Sequence, residues 1–424
     1  MKIINYALKA AAAAIIFAAV TFAQAPMAQP KQETLLNGLK VLMWPDNTAN
    51  DVRIRIRIHS GAAFDPAGRE GVMKLLADNI FPNEAAREYF RDDLGGGLNV
   101  VTNYDYIEIN ASGRSDSFLQ MLETLATAVA NPTIDKETTA TLRASLLETI
   151  KPMQQDVAYV ADRAIARRLF GSFPYGRPMY GSMESVQKIQ FPDLIDAKQR
   201  FLTADNATVA ITGNFDRSLG PKAVRRFFGG WLKADKRIPS SFRQPDPPAA
   251  GVEMAASPRP VASAIRFAFR GPARKDKDLA ASNVFAYVLA DRIRARVPGE
   301  NSKDVFVRSE SHTLPGSFVI GADIVRLPDV DMKVHATDLI TAALAAPVTD
   351  AEFSSARSRF AAEWAQKNTA SFWLDADTFG IKSVDADMKA AAAVSLAEVN
   401  SYAAKLRASP MAAVLVNTPP ATNQ

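Results

Sequence analysis

The sequence contains no cysteine and only three histidines, His59, His312 and His335. The first absence excludes thiolate zinc sites, disulfide scaffolds and cysteine nucleophiles. The second leaves too little imidazole for a His-rich metal cluster. An excess of one charge is also missing. Fifty Lys and Arg stand against forty-five Asp and Glu over 424 residues. Lys2 and Lys9 lie at the N-terminus, and without them 48 basic residues face 45 acidic ones, a diffuse +3. Such a balance gives no basic surface for nucleic acid. No Gly-x-Ser-x-Gly elbow supports a serine nucleophile. The Gly95-Gly96-Gly97 run leads to neither a helix nor Lys-Ser/Thr, so it is no phosphate loop.

What is present is globular: 48% apolar and 22% charged residues, in a length that suits two domains of about 200 residues each. Residues 1–25 read as a secretory signal, with Lys2 and Lys9 as the basic flank and Ala10 to Phe22 as the apolar run. Cleavage is expected after Thr21-Phe22-Ala23, since Ala23-Gln24-Ala25 would leave Pro26 at the new terminus. The apolar run is shorter than the ~20 residues a bilayer span needs, and no later segment is long enough. The mature chain is expected to be a soluble periplasmic or secreted protein with no membrane association after cleavage.

From Gln32 to Trp44 the pattern is a hairpin about Asn37-Gly38. Val52, Ile54, Ile56 and Ile58 then alternate with Arg53, Arg55, Arg57 and His59, a strand with an apolar and a basic face. A helix is expected over Gly71–Phe81, a strand pair around Asn99–Ile109, helices over Ser117–Ala130 and Asp135–Ile150, a strand at Val209–Thr212 and a helix at Leu219–Phe228. Residues 238–260 hold six prolines and read as a linker. The order then repeats: strand Ile265–Arg270, helix Leu279–Arg294, strand Ser317–Val325, long helices to Arg407 and strand Ala412–Val416. Leu76-Ala77-Asp78-Asn79-Ile80 in one half answers Leu289-Ala290-Asp291-Arg292-Ile293 in the other. The expected fold is α+β: two structurally similar domains, 30–237 and 261–418, each a mostly antiparallel sheet covered by helices.

Ordered landmarks carry a family resemblance. They are Leu36-Asn37-Gly38-Leu39, Gly61, Gly71 and Phe81, and Gly95-Gly96-Gly97-Leu98-Asn99-Val100-Val101-Thr102. Pro174-Tyr175-Gly176-Arg177-Pro178, Gly181–Ser185 and Asn206–Gly213 follow. The chain resembles the pitrilysin/insulinase family of zinc peptidases, in its mitochondrial-processing-peptidase-like branch of two-domain subunits. That family's site is an inverted His-x-x-Glu-His motif, two histidines at i and i+4 on one helix face with a glutamate as base. By the landmarks the motif falls on Lys74 to Asp78. The first histidine is Lys74, the base Ala77 and the second histidine Asp78, while the distal ligand falls on Thr149 or its neighbour Glu148. An ammonium has no lone pair to give a metal, and alanine has no oxygen. Lys74 and Asp78 are expected to form an i,i+4 ion pair instead. No cofactor is expected, zinc being the family's metal whose ligands are missing here. The family's second-domain Arg–Tyr pair is similarly incomplete: Arg296 matches the arginine and no tyrosine follows.

The resemblance implies that peptide adds as a strand beside Leu98-Asn99-Val100-Val101-Thr102. If the face bearing Arg55 and Arg57 lines the chamber, acidic peptides are favoured; the alternative is a face neutralised by nearby carboxylates. Three functions stay open. The leading one is a non-catalytic subunit that binds peptide or unfolded polypeptide and pairs with an active paralogue, or forms a homodimer. A divergent metallopeptidase using Asp78, Glu148 and His59 is the second. A stand-alone periplasmic peptide-binding protein is the third.

Overall fold

A computed structural model describes residues 29–234, 241–259, 262–297, 299–324 and 332–417; the signal sequence expected over 1–25 lies outside them. The first half has strands β1 (Lys31–Thr34), β2 (Lys40–Pro45), β3 (Asp51–Ile58), β4 (Gly97–Thr102), β5 (Ile107–Arg114) and β6 (Ala207–Gly213). Its long helices are α1 (Val72–Ile80), α2 (Phe118–Ala130), α3 (Lys136–Met153), α4 (Val157–Phe170), α5 (Phe191–Phe201) and α6 (Leu219–Phe228). The second half has β7 (Val252–Ala256), β8 (Ser263–Arg270), β9 (Val305–Glu310), β10 (Ser317–Ile324) and β11 (Ala412–Asn417). Its helices are α7 (Leu279–Arg294), α8 (Met332–Ala345), α9 (Asp350–Ala365), α10 (Thr369–Phe379), α11 (Val384–Ala393) and α12 (Leu396–Ala408).

The sheet orders are β1-β2-β6-β3-β5-β4 and β7-β11-β8-β10-β9. Apart from β1 they are the same topology, first-last-second-fourth-third. In each sheet the first and last of those five strands pair in parallel and the rest antiparallel. This is the duplication expected from the sequence, and the fold is α+β as read. The repeat also shows where the second sheet begins. β7 is the counterpart of β2, so Val252–Ala256, inside the stretch read as linker, belongs to the second sheet.

Period-2 patterning decides which face of each sheet is covered by its own helices. Ile54, Ile56 and Ile58 are fully buried against α1, α2 and α6 in one core. Phe267, Phe269 and Ile320 pack on α7 and α12 in the second. The opposite faces are closed by exchange. From the first half, α4 lays Ala161, Ile165 and Leu169 on Ala264, Ala268 and Val414 of the second sheet. In return, α10 sets Ala370 and Leu374 on Leu42 and Ala210 of the first. Both helices carry apolar residues four apart, which gives each the one apolar stripe it needs. Each half therefore closes its sheet with a helix taken from the other.

The turn at Asn37-Gly38 forms as its dipeptide requires. Gly38 has φ +86°, and a Cβ there would meet that of Asp205 at 2.7 Å, so only glycine fits. The Asn37 amide donates to the carbonyls of Phe228 and Trp231, pinning the hairpin to the end of α6.

Candidate functional site

Helix α1 begins at Gly71, whose φ of +109° and close neighbours, Val186 and the Tyr180 carbonyl, leave no room for a side chain. The Asp65 carboxylate accepts from the Gly71 and Met73 amides, both at 2.7 Å, and so caps the first turn. Burial pushes this carboxyl up to about 7, against the pull of the two amides. One turn on, Lys74 and Asp78 form the expected i,i+4 ion pair, with side chains 20% and 24% exposed. The Lys74 ammonium lies 5.7 Å from the centre of the Tyr180 ring. Ala77 is buried in the core, and Asn79 beside it is fully buried with neither amide atom hydrogen-bonded.

Across from α1, helix α3 carries Glu148 and Thr149, both exposed. Thr149 Oγ donates to the Ser145 carbonyl within its own helix. These residues do not suit zinc. By the resemblance, the first ligand position is a cation and the base position a methyl group, and Asp78, at the second ligand position, is held by that cation. Among the described residues no group of three or more His, Asp or Glu could hold a metal ion. His59 does not supplement them. It sits on the opposite face of the first sheet, between Thr378 and Thr208 at 3.0 Å each, beneath α10. The set Asp78, Glu148 and His59 is not assembled.

The basic strand face also differs from a positive chamber wall. Arg57 is 2% exposed and paired with Glu108 and Asp375; Arg55 reaches Glu108, Asn110 and Ser371. In the second half Arg266, 1% exposed, is held by Asp162 of α4 and by Asp323. The exchanged helices bring Asp375 and Asp162, and the sheets' own strands Glu108 and Asp323, so these arginines are paired within a covered seam rather than open to peptide. Arg296 lies just past the end of α7 and donates to the Arg292 carbonyl.

The edge read as a peptide platform is an edge. β4 is the outermost strand of its sheet, paired only with β5. Leu98 and Thr102 are buried, Val100 is half-buried, and Asn99 and Val101 are exposed. The helical segment Ala85–Asp93 packs against the same strand. Near its end a cavity of about 280 Å³ opens between the halves, walled by Tyr104, Tyr159 and Tyr180 from one side and Arg308, Glu310 and His312 from the other.

One pair behind this wall was not foreseen. His312 Nδ1 lies 2.9 Å from Asp105, which also accepts from Tyr175 Oη at 2.8 Å and the Thr313 amide at 3.1 Å. Burial disfavours the Asp105 charge, but the hydrogen bonds from His312 and Tyr175 outweigh it and hold the carboxyl below its ordinary range. The two residues are 207 positions apart, so no spacing signal could have joined them.

The fold is a duplicated, two-domain chain of the metallopeptidase type. The chain belongs to the pitrilysin/insulinase peptidases: the insulinase (peptidase family M16) model matches residues 40–182 and the peptidase M16 inactive domain model residues 188–360. It is 25% identical over 204 residues to an uncharacterized zinc protease of Mycobacterium leprae, covering 47% of this chain and 46% of that protein. The chain thus spans about half the length of the curated relatives it matches. A protease from Helicobacter pylori has the same fold, with a TM-score of 0.81 at 16% identity, over 92% of this chain and 100% of that one. A peptidase M16 inactive domain from Pseudomonas fluorescens superposes with a TM-score of 0.80 at 18% identity, over 93% of this chain and 99% of that one.

Proposed function

We propose that this is an exported, non-catalytic member of the insulinase-type peptidases, which binds extended peptide and pairs with a zinc-bearing paralogue. The observation that carries the reading is the Lys74–Asp78 ion pair, with Ala77 between them, on the helix where the family places its ligands and base. Peptide would add beside β4, main-chain hydrogen bonds supplying affinity without a metal, and its side chains would reach the tyrosine-walled cavity between the halves. Export rests on residues 1–25, and pairing rests on the logic that one intact site per chamber suffices.

The test is metal content and peptidase activity of the purified chain, alone and with a paralogue that retains His-x-x-Glu-His. The expected result is a metal-poor chain without activity that co-purifies with the paralogue and binds unstructured peptide in the presence of a chelator. One equivalent of zinc with chelator-sensitive cleavage by the chain alone would overturn the proposal. Peptide binding with no complex would favour the stand-alone binder.

A further inference from the structure

Between the first sheet and α10 lies a second cavity, of about 320 Å³, on the opposite face of that sheet from α1. Its wall includes Arg55, Arg57, Arg274 and Lys367, with Asn103 and Ser371 beside them. Three carboxylates face these four cations. Glu108 takes Arg55 and Arg57. Asp375 takes Arg57, Arg274 and Lys367. Asp387 takes Arg274 alone, through two bonds of 2.7 Å. The nearby acids are already engaged elsewhere: Asp377 on the same helix binds Lys40, and Asp105 binds His312.

One positive charge is therefore in excess, in a seam where Arg57 and Arg274 are 2% and 5% exposed. The remaining cover is aromatic. The Tyr106 ring lies 4.1 Å from Arg57, and Trp364 and Phe372 lie 5.0 and 4.8 Å from Lys367. Rings ease a buried cation but do not neutralise it, and an uncompensated charge in such a place is costly. Burial, with Arg274 adding to it, pushes the Lys367 ammonium below its ordinary range. Donors are also left over. Arg55 spends one N–H on each of its three nitrogens, on Asn110, Ser371 and Glu108, and a guanidinium has five.

We propose that this seam cavity binds a small oxyanion, a phosphate or carboxylate group, held by Arg55 and Lys367 with Asn103 and Ser371 alongside, and that the bound anion ties the two halves together. Both halves supply it, Arg55 and Asn103 from the first and Lys367 and Ser371 from the second. It does not rest on peptide binding at β4, which lies outside this cavity.

The test is titration of the full chain with inorganic phosphate and with citrate, followed by calorimetry and thermal melting, against chloride at matched ionic strength. Saturable binding and a rise in melting temperature are expected with phosphate or citrate and not with chloride. Lys367→Met should weaken the binding about tenfold, as loss of one charge-assisted hydrogen bond does. Ser371→Ala should weaken it less, and Arg53→Gln, on the same strand but outside the cavity, not at all. An equal response to chloride, or unchanged affinity in both Lys367→Met and Ser371→Ala, would overturn the site. A Glu-bearing peptide that displaces phosphate identifies the anion as a peptide side chain; no displacement identifies it as a free ion.

Discussion

Arg57 in the first half and Asp375 in the second form a buried ion pair at 2.6 Å, and Arg266 with Asp162 repeats it in the reverse direction at 2.6 Å. In each case the arginine stands on the second strand of the repeated sheet order, and the aspartate on the helix received from the other half. The two pairs are alike in kind, each joining a central strand of one half to a helix of the other. Each exchanged helix thus carries an apolar stripe for the sheet it covers and an acid for that sheet's arginine.

Removing the shared acid should be expensive. Asp375→Asn leaves Arg57, Arg274 and Lys367 without their common carboxylate, and breaking a buried pair in this way costs about 3–5 kcal/mol. Urea unfolding would measure it. Asp162 is more exposed, so Asp162→Asn should cost clearly less. A loss under 1 kcal/mol for Asp375→Asn would show that solvent reaches the seam.

Breaking the ion pair at the degenerate motif should do little. Lys74→Met is expected to change stability by no more than about 0.5 kcal/mol, the worth of a partly exposed i,i+4 pair. It should also leave peptide binding in the presence of chelator unchanged. A large loss of metal-dependent activity in Asp78→Asn would contradict the non-catalytic reading.

Asp65 should make stability depend on pH. Its folded pKa, about 7, is raised above the ordinary carboxyl value of 3.8. The folded state therefore holds the proton more tightly than the unfolded one. The contribution is complete below pH 4 and is lost as pH rises toward 7, at up to about 1.4 kcal/mol per pH unit. Relative to Asp65→Asn, which cannot titrate, the wild type should be more stable at pH 5 than at pH 7.5. Denaturant unfolding at the two values checks this, and a difference that does not change with pH would refute it.

His312→Leu should destabilise the chain by about 1–3 kcal/mol, because the buried Asp105 Oδ2 loses its hydrogen bond across the halves. Thermal melting of the variant beside His312→Asn, which can still donate, separates the lost hydrogen bond from lost packing. Only the first variant should fall by the full amount.

At the sheet edge, Val101→Glu should weaken binding of an unstructured peptide while leaving the melting temperature nearly unchanged. Val101 is 40% exposed on the outermost strand, where a charge opposes strand addition. Fluorescence anisotropy with a labelled peptide reads the effect, and unaltered affinity would move the peptide site elsewhere.

Much of the fold was legible because local patterns determined it. Asn37-Gly38 gave the hairpin, the Ile54–Ile58 alternation gave β3, and α6 and α7 run over the residues expected. The ion pair of Lys74 and Asp78 followed from helical spacing alone. The rest depended on distant partners. Val157 to Leu169 has a helical apolar stripe, but nothing local says that it covers the other half's sheet. β7 lies in a proline-rich stretch and is only five residues long, so composition masked it. The basic face of β3 looked open because its acid, Asp375, comes from more than 300 positions away. His312 met Asp105 for the same reason.

The exchanged helices set the unit of inheritance. A chain that lost either half would uncover the apolar residues of the remaining sheet and take Asp375 from Arg57 or Asp162 from Arg266. Each half thus depends on the other for the cover of its sheet, whereas the exposed face of α1 carries no such dependence. Lys74 and Asp78 pair with each other and Ala77 packs in the first core, so among the described residues none of the three is tied across the seam.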